Sequence, residues 1–216
     1  MPETNYYHPS LTLPDILQRA SDIHGDLYIG YIDENGIENR QTYRELLEEA
    51  SRKAGGLQFL GLKPGDKAII ATQNNRETIT LLWACFLAGV VPTVLQPPMT
   101  FSGYNPAVVK LMNVFAQFDE PFVFFSENLK HTEGLPSEKI LYPADLKTDA
   151  GFVKPALSSG DLAFVQFSSG STGDPKGIML THQNLMVNMD AIGVGLDLIH
   201  ADSTGNWMPL FHNIGL

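Results

Sequence analysis

Lys67-Ala68-Ile69-Ile70-Ala71-Thr72, then Arg76-Glu77-Thr78-Ile79-Thr80-Leu81-Leu82-Trp83-Ala84-Cys85-Phe86-Leu87-Ala88, then Val90-Val91-Pro92-Thr93-Val94-Leu95, carry the architecture of this sequence. The first and third runs are short and apolar without polar alternation, as strands covered on both faces are. The middle run has the length of a helix and stops at Gly89. Strand and helix in alternation predict a parallel sheet with crossover helices.

Upstream, Thr42-x-x-Glu45 is a capping box in which each side chain satisfies the other's backbone N–H. Tyr43, Leu46, Leu47, Ala50, Ala54 and Leu57 then recur at helical spacing, which predicts an amphipathic helix ending near Gly61. Lys63-Pro64-Gly65-Asp66 is a turn. Downstream of the Gln96-Pro97-Pro98 break, residues 105–118 read as a helix and Phe122-Val123-Phe124-Phe125 as a further strand. Residues 126–160 are polar and rich in Pro and Lys, and predict a surface connection with one short strand at 139–142. Residues 162–167 and 178–181 read as strands flanking a loop at 168–177, and 184–192 as a helix. The fold class expected is therefore α/β, a largely parallel sheet flanked by helices.

The chain has 216 residues with 44% apolar and 18% charged side chains, an ordinary globular composition that excludes disordered and disulfide-rich classes. A formal charge of −10, with no Lys/Arg cluster, leaves no electrostatic footprint for nucleic acid or an anionic membrane. Cys85 is the sole cysteine and sits in an apolar run, so a buried, inert thiol is expected. The first residues have neither a basic flank nor an apolar core, which argues against a secretory signal and predicts a cytoplasmic protein. Between Glu77 and Lys110 lie 32 residues without a formal charge, but Pro92, Pro97, Pro98, Pro106, Gly89 and Gly103 divide them into pieces too short to span a bilayer. The other histidines, His8, His24, His131, His182 and His200, show no metal-ligand spacing, and Trp83 and Trp207 are expected in the core.

The chemistry is concentrated in Ser168-Ser169-Gly170-Ser171-Thr172-Gly173-Asp174-Pro175-Lys176-Gly177. Glycines admit backbone N–H groups to an anion, hydroxyls donate to phosphate oxygens, and a lysine adds a point charge, so these are the parts of a polyphosphate cradle. A flexible Gly/Ser loop would account for the small residues but leaves the Pro175-Lys176-Gly177 ending between two apolar strands as coincidence. A Walker loop requires its lysine to enter a helix, whereas Lys176 follows Pro175 and precedes Gly177 and a strand. The hydrolase elbow G-x-S-x-G also breaks, because Ser169 stands two residues before Ser171.

The run from Gln166 to Gly177, followed by Thr181-His182-Gln183-Asn184-Leu185, resembles the phosphate-binding signature of the adenylate-forming superfamily. That superfamily includes acyl-CoA synthetases, fatty-acyl-AMP ligases and the adenylation domains of nonribosomal peptide synthetases. The resemblance extends through Thr42-Tyr43-Arg44-Glu45-Leu46, Gly61-Leu62-Lys63-Pro64-Gly65-Asp66, Ala88-Gly89-Val90-Val91-Pro92 and Trp207-Met208-Pro209-Leu210-Phe211-His212-Asn213-Ile214-Gly215. It implies that a carboxylate attacks the α-phosphorus of ATP to give an acyl-adenylate and pyrophosphate, and that the acyl group then passes to the thiol of CoA or of a carrier protein. By the same resemblance Ser169, Gly170, Ser171, Thr172, Gly173, Lys176 and Gly177 belong to the pyrophosphate grip, and Ser168 is a candidate contact for Mg²⁺. Lys176 and the metal are then suited to the negative charge that builds on the leaving group.

His212 matches the family's pocket histidine, beside the reacting carboxylate; a histidine packed between Phe211 and Ile214 is the competing reading. Amino-acid-activating relatives usually offer an aspartate in this stretch, where this chain has His212-Asn213, so the resemblance implies a substrate without an α-amino group. Pro209-Leu210-Phe211-His212-x-x-Gly215 is closest in pattern to fatty-acyl-AMP ligases and acyl-loading domains, although the subgroup's usual aspartate after the histidine is Asn213 here. The family's metal-binding glutamate, ribose-binding aspartate, hinge and lid lysine all correspond to positions beyond Leu216. Residues 1–216 are accordingly expected to be a truncated N-terminal subdomain, inactive alone. A noncatalytic module that binds nucleotide or a carrier protein, and an amino-acid adenylation domain, are the alternatives.

Overall fold

A computed structural model describes residues 11–102, 104–126, 132–147, 149–168, 176–199, 201–212 and 214–216. Its centre is a parallel four-stranded sheet of order β4-β3-β5-β6, formed by β3 (Lys67–Ala71), β4 (Val91–Val94), β5 (Phe122–Phe125) and β6 (Ile140–Leu141). Side chains alternate across this sheet as the pleat requires. Ala68, Ile70 and Phe124 enter one core, and Ile69, Ala71, Val123 and Phe125 enter the other. Both faces are therefore dry, which is why β3 and β5 lack polar alternation.

The first core lies under α1 (Leu13–His24), α2 (Tyr43–Phe59) and α3 (Asn75–Ala88), and the second under α4 (Pro106–Gln117). The path explains that distribution. From β3 the chain steps to β4 through α3, then crosses back past β3 to β5 through α4. Reversing direction while keeping the hand of the crossover transfers the connecting helix to the opposite face.

Local chemistry sets the ends of these elements. The Thr42 hydroxyl accepts from the Glu45 N–H at 3.2 Å and the Glu45 carboxylate accepts from the Thr42 N–H at 2.8 Å, so the expected capping box starts α2. Asn74 caps α3, and Gly89 ends it in the left-handed region at φ 71°. Asn105 caps α4 ahead of Pro106, which has no N–H to leave unsatisfied. Cys85 is fully buried and burial pushes its thiol up to about 12, so it is a packing residue.

Three features differ from the sequence expectation. A helix (α1) and an antiparallel hairpin, β1 (Tyr28–Ile32) with β2 (Glu38–Thr42), precede the α/β part. The hairpin turns on Asp33, whose carboxylate accepts the N–H groups of Asn35 and Ile37, and on Gly36 at φ 77°. Between 126 and 160 the expected short strand is present as β6, but the described residues there are more than a surface connection: Leu146 is buried, and residues 146–147 and 151–153 lie directly on α2. There Gly55 and Gly56 let backbone meet backbone, and the Gln58 amide both donates to the Val153 carbonyl and accepts its N–H, at 2.7 and 3.0 Å. Finally, Trp83 packs edge-on against Phe86, but Trp207 is 89% exposed, contrary to the core position expected for it, because residues 202–207 form no element that folds over the indole.

His182 is 1% exposed and its Nδ1 accepts the Leu13 N–H at 3.3 Å, tying the first turn of α1 to the far end of the chain. Burial holds its proton affinity below the ordinary value near 6.5, against opposing pulls from Asp161 and Asp15. The unfolded chain then binds the extra proton more readily, so this contribution to stability is complete above pH 6.5 and is lost as pH falls through the depressed folded value. The unfolding midpoint in urea is expected to decline between pH 7 and pH 5, and to decline less in His182→Gln; equal slopes would remove His182 as the cause.

Candidate functional site

Two antiparallel strands, β7 (Leu162–Ser168) and β8 (Lys176–Thr181), flank the Gly/Ser loop, and α5 (His182–Gly195) follows at once. The ladder runs further into the expected loop than the sequence reading placed it, with Ser168 opposite Lys176 and Phe167 opposite Gly177. Gly177 makes this possible. A Cβ there would stand 2.9 Å from Val165 Cγ1 and 3.1 Å from the Phe167 ring, so a side chain would push the buried pair Val165 and Phe167 aside. The expected loop residues Ser169, Gly170, Ser171, Thr172, Gly173, Asp174 and Pro175 lie outside the described residues.

The base of the hairpin is latched. Thr181 and Asn184 form a capping box at the start of α5, with 3.1 and 3.0 Å hydrogen bonds. The His182 and Gln183 N–H groups donate to the Asp161 and Ser159 carbonyls just before β7, and the Asp161 carboxylate accepts the Ser158 N–H. Strand, loop, strand and helix thus close on themselves. At the other end Lys176 is exposed, and among the described residues its side chain makes no hydrogen bond or ion pair. An uncommitted ammonium at the exit of a hydroxyl-rich loop fits an anionic ligand.

His212 is brought to a second place. At the carboxyl ends of the parallel strands, the end where open α/β sheets bind ligands, the exits of β3 and β4 leave a crevice. Pro209, Leu210 and Phe211 lie over that crevice and enclose a cavity of about 60 Å³ with Thr72, Thr78 and Leu95. Nearby, the Thr72 and Thr78 hydroxyls share a hydrogen bond at 2.7 Å, and the Gln73 N–H donates to Ser126 Oγ at 2.8 Å, joining the exits of β3 and β5. His212 itself is exposed beside this cover rather than packed between Phe211 and Ile214, and its Nδ1 accepts the Ile214 N–H at 3.3 Å. No hydrogen bond joins His212 to Lys176 among the described residues.

A larger cavity, about 310 Å³, opens at the amino ends of β3 and β5 among Lys67, Asp119, Glu120 and Lys139. It lies at the end of a parallel sheet that ligands do not use, and Lys139 there is spent on the Glu120 carbonyl at 2.6 Å. Among the described residues no group of three His, Cys, Asp or Glu side chains could hold a metal ion, and no helix is long and apolar enough to cross a membrane.

Sequence reading did not find Lys110, whose Nζ donates to the Phe167 carbonyl at 3.2 Å beside the loop entrance. Its one sequence signal is its place as the first formal charge after the 32-residue uncharged stretch.

A family model described as AMP-binding enzyme matches residues 27–216. The medium-chain-fatty-acid [acyl-carrier-protein] ligase JamA of Moorena producens is 29% identical over 221 residues, covering 95% of this chain and 36% of its own length. Among solved structures, McyG A-PCP complexed with phenylalanyl-adenylate superposes with a TM-score of 0.86 at 32% identity, over 95% of this chain and 34% of that one. The fatty acid AMP ligase from Legionella pneumophila, at 23% identity and a TM-score of 0.84, shares the fold over 94% of this chain and 36% of that one. The chain spans about a third of the length of the curated relatives it matches.

Proposed function

Because this chain belongs to the AMP-binding enzyme family of adenylate-forming ligases, we propose that it is the N-terminal part of an acyl-AMP ligase that activates a carboxylic acid without an α-amino group. The observation that carries the reading is the hairpin: a hydroxyl- and glycine-rich loop between Ser168 and Lys176, entered and left by paired strands. Ser169, Gly170, Ser171, Thr172 and Gly173 hold the β- and γ-phosphates through backbone N–H and hydroxyl donors, with Gly177 setting the exit. Lys176 neutralises charge that builds on departing pyrophosphate as the carboxylate attacks the α-phosphorus.

Magnesium, when bound, supplies further charge neutralisation, and the hard oxygen of Ser168 is the contact this chain offers it. His212 lies beside the cover over the β3/β4 crevice and orients the reacting carboxylate there. The absence of an aspartate at 212–213 supports a fatty or other non-amino acid. The phenylalanyl-adenylate in the McyG complex favours an amino acid instead, and a substrate panel separates the two. The acceptor is the thiol of CoA or of a carrier protein, the latter being what JamA is named for. We assign this chemistry to the cytoplasm, where ATP is available and a lone thiol such as Cys85 stays reduced.

ATP–pyrophosphate exchange with fatty, aryl and amino acids tests the proposal. Exchange is expected with non-amino acids, and only from a longer polypeptide that carries this chain with the rest of the fold. Robust exchange by these 216 residues alone would overturn their incompleteness, and exchange confined to amino acids would overturn the substrate class.

A further inference from the structure

Two threonines stand at the crevice between the exits of β3 and β4. Thr72 follows the last residue of β3 and Thr78 lies near the start of α3. Both are buried, and both line the cavity of about 60 Å³ beneath the cover formed by residues 209–211. Their hydrogens can be placed from the acceptors around them. The Thr78 hydroxyl donates to the Asn74 carbonyl at 3.0 Å, so its single hydrogen is spent there. The 2.7 Å contact between the two hydroxyls then takes the Thr72 hydrogen. With both hydrogens committed, the pair offers a further partner only lone pairs, two on Thr72 and one on Thr78.

The rest of the lining narrows what that partner is. Leu95 is buried, and Val94, Leu210 and Phe211 are half-buried around the same cavity, so a group entering it gives up its water. Buried acceptors in such a setting favour a ligand group that carries an O–H or N–H. Among the described residues no carboxylate lines the cavity, so an ammonium would be desolvated there without a counter-charge. A neutral hydroxyl meets both conditions. A single water needs about 10–15 Å³, so a cavity of about 60 Å³ has room for a hydroxyl with the carbon that bears it.

We infer that Thr72 and Thr78 form a subsite for a hydroxyl group on the acid, so that the substrate class this crevice prefers is a hydroxy acid. This rests on the acyl-AMP ligase reading above, with the reacting carboxylate beside His212. Thr72 Oγ1 accepts from the substrate hydroxyl and is the specificity-determining atom, and Thr78 fixes its direction by taking the Thr72 hydrogen.

The test is ATP–pyrophosphate exchange by the whole adenylating polypeptide with matched acids: α-, β- and ω-hydroxyhexanoate against hexanoate, and para-hydroxybenzoate against benzoate. At least one hydroxylated acid is expected to exceed its parent about tenfold in kcat/KM, the worth of one hydrogen bond made in a dry site. Thr72→Val replaces the hydroxyl by a methyl and is expected to bring that ratio to within about twofold of unity, whereas Thr72→Ser keeps the oxygen and the preference. A pair of threonines that merely joined β3 to α3 would, on removal, lower both acids alike, so the ratio is the readout and not the rate. Should Thr72→Val fail to fold, Thr72→Ala makes the same comparison without an added methyl. Equal kcat/KM for every hydroxylated acid and its parent in the wild type, with exchange present, would overturn the hydroxyl subsite and leave the ligase reading standing. A preference that survives the loss of the Thr72 hydroxyl would place the substrate hydroxyl elsewhere and overturn the subsite as well. No exchange with any acid, hydroxylated or not, would overturn the ligase reading and this inference with it.

Discussion

Lys176→Ala in the adenylating polypeptide is expected to lower kcat for ATP–pyrophosphate exchange by about 10²–10³-fold, the usual cost of removing one group aimed at charge that develops in the transition state. The fold should be indifferent to the change. Lys176 is the first residue of β8, exposed, and its ladder position opposite Ser168 is held by backbone groups that alanine retains. A surface substitution of this kind is expected to stay within about 0.5 kcal/mol of wild-type stability. Lys176→Arg keeps the charge but replaces a compact ammonium by a planar fork, so partial rescue is expected. Exchange kinetics within about threefold of wild type for the alanine variant, far below the loss expected for such a group, would remove Lys176 from the chemistry.

Gly55→Ala is the larger threat to stability. In an open helix this substitution stabilises by about 1 kcal/mol, because glycine has the most backbone freedom to lose. At position 55 the new Cβ would stand 2.6 Å from the Gly151 carbonyl oxygen and 2.9 Å from its carbon, both backbone atoms that cannot rotate away. The segment carrying Gly151 and Val153 would have to lift from α2, straining the paired hydrogen bonds between Gln58 and Val153 and the 2.9 Å bond from Lys53 Nζ to the Pro143 carbonyl. Such overpacking costs about 1–3 kcal/mol net. Gly193 in α5 has open space around it, with nothing within 4 Å of where an added Cβ would stand, so Gly193→Ala supplies the opposite sign. Chemical denaturation of the two variants against wild type should therefore separate them on either side of the parent, and a stabilised Gly55→Ala would refute the close approach.

Much of the fold is legible in the sequence because the parallel core writes itself plainly. The runs at Lys67–Ala71 and Phe122–Phe125 are apolar on both sides of the pleat, and the helix between β3 and β4 has a visible stop at Gly89, whereas the caps at Asn74 and Asn105 emerge only in the structure. The β1–β2 hairpin is not legible, since its outward residues are mostly exposed and Glu38, Asn39 and Arg40 have no strand-like pattern. The docking of the segment around Gly151 onto α2 escapes for a different reason: two adjacent glycines inside a helix read as weakness until the backbone they receive is known. In the candidate site, the loop and Lys176 announce themselves by composition, whereas Lys110 gains meaning only through a carbonyl 57 residues away in sequence. His182 shows the same limit, for its partner Leu13 lies 169 residues distant.

The latch beneath the hairpin has a mechanical corollary. Tension applied at the tip, as when a bound anion draws the loop tight, travels down β7 and β8 to one knot, where the His182 and Gln183 N–H groups grip the Asp161 and Ser159 carbonyls. Part of that force returns within the same short length of polypeptide, and the rest passes to the scaffold, because Ala163, Phe164, Val165 and Phe167 of β7 are buried in the two cores that also hold β3 and β5. Such a unit can be reshaped at its apex over many generations, or by a protein engineer, provided those side chains stay seated.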